Sequence, residues 1–301
     1  MSIDVPALRL FLSADLIGST ALKSETSGGN DEPEWLKTFI SFYEEFPAIL
    51  AENCKKHDTP NIEFWKGIGD ELLWFVSLSQ VSDSLNVVKA FKAALELYNR
   101  KLDDFDKKVR LKGTAWIAGF PITHKVVPLP NGGTDYIGPS IDAGFRLSRF
   151  STRMRMVVSV DLAWMLLQCQ SKMDELRLCF DASESMKGVL SGRPYPVIWI
   201  QCESPLEQLE YELCHSNRST EWDRRLGDFC ADFIRSTDGK IISPFITGAN
   251  RFGTPPESFL TRLNGLKDKD PVDALTENGG SFVPEGQQAS VDMVVHLKVA
   301  P

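Results

Sequence analysis

The sequence predicts an α+β protein in which helices cover one face of a mostly antiparallel sheet, the split βαβ arrangement. Three features carry that prediction. The chain opens on a strand of alternating leucines, two long amphipathic segments follow, and a glycine-marked hairpin lies between them. The resulting order is strand, helix, hairpin, helix, strand.

In the first element Leu8, Leu10 and Leu12 alternate with Arg9, Phe11 and Ser13, the period of a strand ending at Ala14 and Asp15. Between residues 33 and 54, Trp35, Phe39, Phe42, Phe46, Ile49 and Leu50 recur at helical spacing, with Pro47 expected to kink or shorten the helix. Residues 61–65 and 71–76 are two short β-rich runs around Gly67, Ile68, Gly69 and Asp70, so Asp70 falls beside a hairpin turn. Residues 82–102 form a second helical pattern, with Ser82 or Asp83 as its cap, and 111–117 another strand. A glycine-marked turn and an amphipathic helix follow within 134–149, with Ile141, Phe145 and Leu147 inward, and 196–201 closes the domain. One domain is expected over residues 1–202. Residues 203–301 form a C-terminal extension of unknown role, with helical patterns at 206–214 and 222–234, a polar stretch at 264–288 and strand character at 291–299.

A chain of 301 residues with 43% hydrophobic content has enough apolar surface for a sizeable core. Its net charge of −8 argues against a nucleic-acid partner, because bulk electrostatics repel a polyanion. Cys54, Cys169, Cys179, Cys202, Cys214 and Cys230 lie far apart without a CxxC pair, the pattern of buried reduced thiols and not of a zinc or redox site. His57, His124, His215 and His296 fall in unrelated segments, which disfavours a histidine metal site or a Ser/His/Asp triad. The N-terminal residues do not read as a signal peptide, and no apolar run approaches the roughly 20 residues that span a bilayer. A cytoplasmic protein without a membrane partner is expected.

Two acids stand out. Asp15 is followed by Leu16, Ile17, Gly18, Ser19 and Thr20, a strand end turning through glycine into a helix start. Such a turn can offer backbone N–H groups and hydroxyls to phosphate oxygens while the acid holds a bridging cation; an aspartate that simply caps the turn is the other reading. Asp70, in a second turn, changes the balance, because two carboxylates at neighbouring strand ends can hold two ions roughly 3.5–4 Å apart.

These segments resemble the catalytic domain of class III nucleotide cyclases. The family's acidic strand end with its GST turn is matched by Ala14-Asp15-Leu16-Ile17-Gly18-Ser19-Thr20, and its Lys-x-Ile-Gly-Asp hairpin by Lys66-Gly67-Ile68-Gly69-Asp70. Its Asp-aromatic-x-Gly-x-x-Val-Asn-x-Ala-x-Arg-Leu segment is approached by residues 135–147, and its Lys-Gly turn before the last strand by Met186-Lys187-Gly188. The resemblance covers about residues 8–201 and implies a ferredoxin-like class III cyclase fold.

It also implies roles. Asp15 and Asp70 would ligate two divalent metal ions, Mn²⁺ or Mg²⁺, with the Leu16 carbonyl as a further ligand. Arg146 would stabilise the α-phosphate in the transition state, and Lys187 would neutralise the triphosphate. Lys66 and Asp135 occupy the positions that read the base; Gly18, Ser19 and Thr20 form the phosphate turn. Asp142 stands where the family has an asparagine that orients the ribose, and Gly144 and Phe145 replace residues that are usually small. Because metals and transition-state residues come from opposite subunits in this family, a homodimer with two interfacial sites is implied.

The chain as a whole is most similar to the stand-alone pyrimidine cyclases of bacterial anti-phage defence, the Pycsar type. That likeness implies conversion of UTP to cyclic UMP, a messenger that activates a cell-killing effector. Trp65 and Tyr136 flank the base-reading positions and could fill the space of a purine's second ring, or could be core residues. Cytidylate and adenylate cyclases are the alternatives, as is a degenerate nucleotide-binding module.

Overall fold

The computed structural model describes residues 6–24, 33–105, 108–130, 132–169, 176–202 and 220–267. Its centre is β1 (Ala7–Ile17), flanked on one side by the hairpin β2 (Glu63–Ile68) and β3 (Glu71–Leu78) and on the other by β4 (Arg110–Phe120). Then come β7 (Arg155–Val158), β9 (Tyr195–Gln201) and β8 (Leu178–Glu184), giving a seven-stranded sheet ordered β2-β3-β1-β4-β7-β9-β8. Every pairing is antiparallel except β4 with β7. The short hairpin of β5 (Lys125–Pro128) and β6 (Thr134–Ile137) stands apart.

The pleat of β1 divides the interior in two. Leu8, Leu10, Leu12, Ala14 and Leu16 face a large core with α2 (Glu34–Lys56), α3 (Val81–Asp104) and α5 (Val160–Leu167), into which Phe42, Phe46, Phe91 and Leu162 are fully buried. Phe11, on the opposite face, packs with Leu73, Phe75, Trp116, Phe120 and Tyr136 in a second core. Each such aromatic contributes roughly 1.5–3 kcal/mol by leaving water. The hairpin β5–β6 and α4 (Pro139–Leu147) cover this second face through Tyr136 and Ile141.

Several local expectations are corrected. Pro47 does not interrupt α2, which runs unbroken from Glu34 to Lys56, because Phe42, Phe46 and Leu50 on either side of it are anchored in the core. The cap of α3 is Gln80, not Ser82 or Asp83; Asp83 serves from inside the first turn, its carboxylate accepting the N–H groups of Ser79 and Gln80 at 2.8 and 2.9 Å.

Within 203–301, α6 (Thr220–Arg235) contains the helical pattern at 222–234 and sends Leu226, Cys230, Phe233 and Ile234 into the main core. A third cluster joins Phe245 to Phe259 and Leu263, the latter two on α7 (Glu257–Lys267). The chain up to Leu263 forms one compact unit, and residues from Asn264 onward form another. The expected helix at 206–214, most of the polar stretch and the strand at 291–299 lie outside the described residues, as does Cys214. No helix among the described residues is long and apolar enough to cross a membrane.

Candidate active site

The second face of β1 changes character along its length. Arg9, Phe11, Ser13 and Asp15 point the same way at successive i, i+2 positions, and the register sets Asp15 opposite Glu71 on β3 and Lys112 on β4. The polar end of this face gathers the acids. Asp15 does not end the strand as expected: β1 runs on to Ile17 because β3 pairs with it through Asp15 and β4 through Ile17 itself.

Asp70 reaches the same end by way of the β2–β3 turn. Gly69 there has φ +65°, a backbone shape that needs glycine rather than space, since a Cβ would meet nothing within 4 Å. The Leu16 N–H donates to the Asp70 carbonyl at 3.2 Å and fastens the turn to β1. Gly18, φ +87°, then bends the chain into α1 (Ser19–Ser24), where the buried Ser19 hydroxyl donates to the Asp70 carboxylate. Thr20 is exposed beside it.

The acids feel one another. Burial raises the Asp15 carboxyl above its ordinary pKa; Lys112, 3.0 Å away, pulls it back and the Asp70 charge raises it further. Glu71 is raised as well, mainly by burial, with a hydrogen bond from Ser13 opposing and Asp15 and Asp70 adding to the rise. Glu71 was missed from the sequence, although its place directly after Asp70 in the GIGDEL segment was the available signal.

No group of three or more His, Cys, Asp or Glu side chains among the described residues is arranged to enclose a metal ion. The chemistry of Asp15 and Asp70 nonetheless fits hard divalent cations: both are carboxylates, they repel each other, and a cation placed between them relieves that repulsion.

Arg146 is carried on α4. Gly138 has φ +143°, and a Cβ on it would lie 2.5 Å from the His124 ring. The imidazole replaces a side-chain cap: Nε2 accepts the Ser140 N–H at 3.0 Å, which leaves the ring proton on Nδ1 to donate to the Gly119 carbonyl at 2.9 Å. Burial lowers the His124 pKa, which favours this neutral form. Asp142 and Arg146 follow at i, i+4 spacing on the exposed side of α4. Arg146 reaches the exposed Lys187 turn, its Nη2 being 3.8 Å from where a Cβ would stand on Gly188. Gly144 is required by contact: a Cβ there would fall 2.2 Å from the Trp116 ring.

Lys66 and Asp135 meet directly, at 2.7 Å between Nζ and Oδ1, although they lie 69 residues apart. The Tyr136 N–H also donates to Asp135 at 2.9 Å, and the Lys66 ammonium lies 4.2 Å from the Trp65 ring centroid. Trp65 and Tyr136 pack edge to face at 5.1 Å, and each also touches Phe11. Both rings therefore belong to the second core while bordering the ion pair.

A cavity of about 450 Å³ opens beside the first turn of α4. Asp142, Asp161, Gly188, Tyr195, Lys240 and Arg262 are among its lining residues. Asp161 accepts the Leu162 N–H at 3.0 Å, and burial pushes its carboxyl up to about 6. The folded state thus holds a proton between pH 3.8 and about 6 that the unfolded chain releases, so stability falls as pH rises through that window. Asp161→Asn is expected to be more stable than the wild type at pH 7.5 by about 2 kcal/mol and to lose that advantage near pH 4. Thermal melts of both proteins at the two pH values measure this.

No family model matches the sequence, and no curated protein matches it. Solved structures do match. The adenylyl cyclase CyaB from P. aeruginosa is 14% identical with TM-score 0.50, over 67% of this chain and 96% of that one. The guanylyl cyclase Cya2 is 16% identical with TM-score 0.49, over 67% and 95%. The guanylate cyclase domain of RhGC from Catenaria anguillulae is 12% identical with TM-score 0.48, over 67% and 100%. At these identities the likeness is one of fold, and the first of the three carries it. The chain has the α+β class III cyclase fold, with Asp15 and Asp70 at one end of its central strand and Arg146 beside the Lys187 turn.

Proposed function

We propose that this protein is a nucleotide cyclase that converts UTP to 3′,5′-cyclic UMP and pyrophosphate. The observation that carries the reading is the placement of Asp15 and Asp70, brought from a strand and a hairpin turn to one end of the sheet, where the Leu16 N–H fastens the Asp70 carbonyl beside Asp15. Two divalent ions, Mg²⁺ or Mn²⁺, held by these carboxylates with the Leu16 carbonyl, would lower the pKa of the substrate's 3′-hydroxyl and screen the pyrophosphate charge. The 3′-oxygen, losing its proton to solvent, bonds to the α-phosphorus as the bond between that phosphorus and the oxygen bridging to the β-phosphate breaks and pyrophosphate leaves. Arg146 places a fixed guanidinium on the charge that develops at the α-phosphate, and Lys187 neutralises the departing pyrophosphate. Asp142 accepts a hydrogen bond from a ribose hydroxyl, and the Gly18-Ser19-Thr20 turn borders the phosphates. Residues 1–202 supply these groups, and 203–301 is an extension.

The base meets Lys66 and Asp135. A donor beside an acceptor complements uracil through O4 and N3–H, but it complements the edges of cytosine and adenine equally well. Discrimination then falls to space, and Trp65 and Tyr136, wedged against Phe11, are bulky walls that favour a single ring. Arg146 and Lys187 complete the site from a facing subunit. The exposed apolar residues Phe64, Ile68 and Ile137 on β2 and β6 support such a homodimer contact. Cyclic UMP would act as a cytoplasmic messenger for a cell-killing effector in anti-phage defence. Incubation with each of the four nucleoside triphosphates and Mn²⁺ tests the reading: cyclic UMP should predominate, while exclusive cyclic AMP or cyclic CMP would overturn the choice of base. Absence of any cyclic product would favour a nucleotide-binding module without catalysis.

A further inference from the structure

Lys112 stands opposite Asp15 in the β1–β4 register, and its side chain is only 17% exposed. Its ammonium makes two contacts at once. Nζ lies 3.0 Å from Asp15 Oδ2 and donates to the Ser148 carbonyl at 3.1 Å. Ser148 is the residue on which α4 ends, just after Arg146 and Leu147, so the lysine meets the negative end of that helix. One cation therefore bridges an acid of the metal half and the helix that carries the transition-state arginine.

In the dimer of the proposed function, on which this inference rests, those two halves of one chain serve opposite sites. We propose that Lys112 is a positioning residue that couples them: it occupies Asp15 when no metal is bound, competes with the metal for that carboxylate, and holds the end of α4 that fixes Arg146. A divalent cation arriving at Asp15 weakens the Lys112–Asp15 pair and leaves the ammonium to Ser148, which steadies α4 for the other site. Metal affinity and order in α4 are then linked through one side chain.

The test uses the full-length protein, Lys112→Met and Lys112→Arg, each first checked for an unchanged melting profile. Mn²⁺ binding without nucleotide, followed by calorimetry, should be about five- to tenfold tighter in Lys112→Met, because a competing cation is gone. Mg²⁺ should slow amide exchange over residues 139–147 in the wild type and not in Lys112→Met. Turnover of Lys112→Met should fall at least about tenfold at little change in KM, and Lys112→Arg should recover most of it. Mn²⁺ affinity unchanged in Lys112→Met, or exchange in α4 that responds to Mg²⁺ as in the wild type, overturns the coupling alone. A wild type that binds no Mn²⁺ overturns the metal reading and the coupling with it.

Discussion

Asp70→Asn should lose cyclic-nucleotide formation by about a thousandfold while keeping its fold. The substitution changes charge and almost nothing else. The turn depends on Gly69 and on the Leu16 N–H to the Asp70 carbonyl, and both survive. The amide oxygen still accepts the Ser19 hydroxyl. Removing one of three neighbouring acids also relieves Asp15 and Glu71, whose carboxyls Asp70 pushes up, so the melting temperature should not fall. A product assay beside a thermal melt decides the matter. Retained turnover would show that Asp70 holds no metal.

Arg146→Ala should reduce turnover by about 10²- to 10³-fold with little change in KM, since its guanidinium acts on charge that appears in the transition state. The expected cost in stability is small. Arg146 is exposed on α4, and surface replacements away from the core usually stay within about 0.5 kcal/mol. The helix itself is held from its other face and its ends: Ile141 and Leu147 are buried, His124 accepts the Ser140 N–H, and Lys112 grips Ser148. Equal loss in KM would instead assign Arg146 to ground-state binding.

The two acids could be read from the chain because each sits in a short local pattern, a strand turning through Gly18 and a hairpin turning at Gly69. What stayed hidden depends on register between distant strands. Nothing near Asp15 in sequence says that Lys112 will lie opposite it, or that β3 will extend far enough to bring Glu71 alongside. Gly144 looked like a departure from the family pattern; Trp116, 28 positions earlier by number, makes it necessary. The same applies to His124, which fell in no motif and yet caps α4 through Ser140. At Pro47 the anchoring of Phe42 and Phe46 in the core outweighs the local propensity that a proline carries. The helical pattern at 222–234 is legible in the chain, but nothing local says that Leu226, Cys230, Phe233 and Ile234 tie it to the main core.

In the proposed dimer each site takes its metal carboxylates from one subunit and its arginine from the other. Mixing Asp70→Asn with Arg146→Ala, after unfolding and refolding the two together, reads this out. About half of the dimers are then mixed, and each mixed dimer carries one site with intact acids and an intact arginine. Activity should return to about one quarter of the wild-type value, although neither variant is active alone. A mixture as inactive as its components would contradict a site shared between subunits.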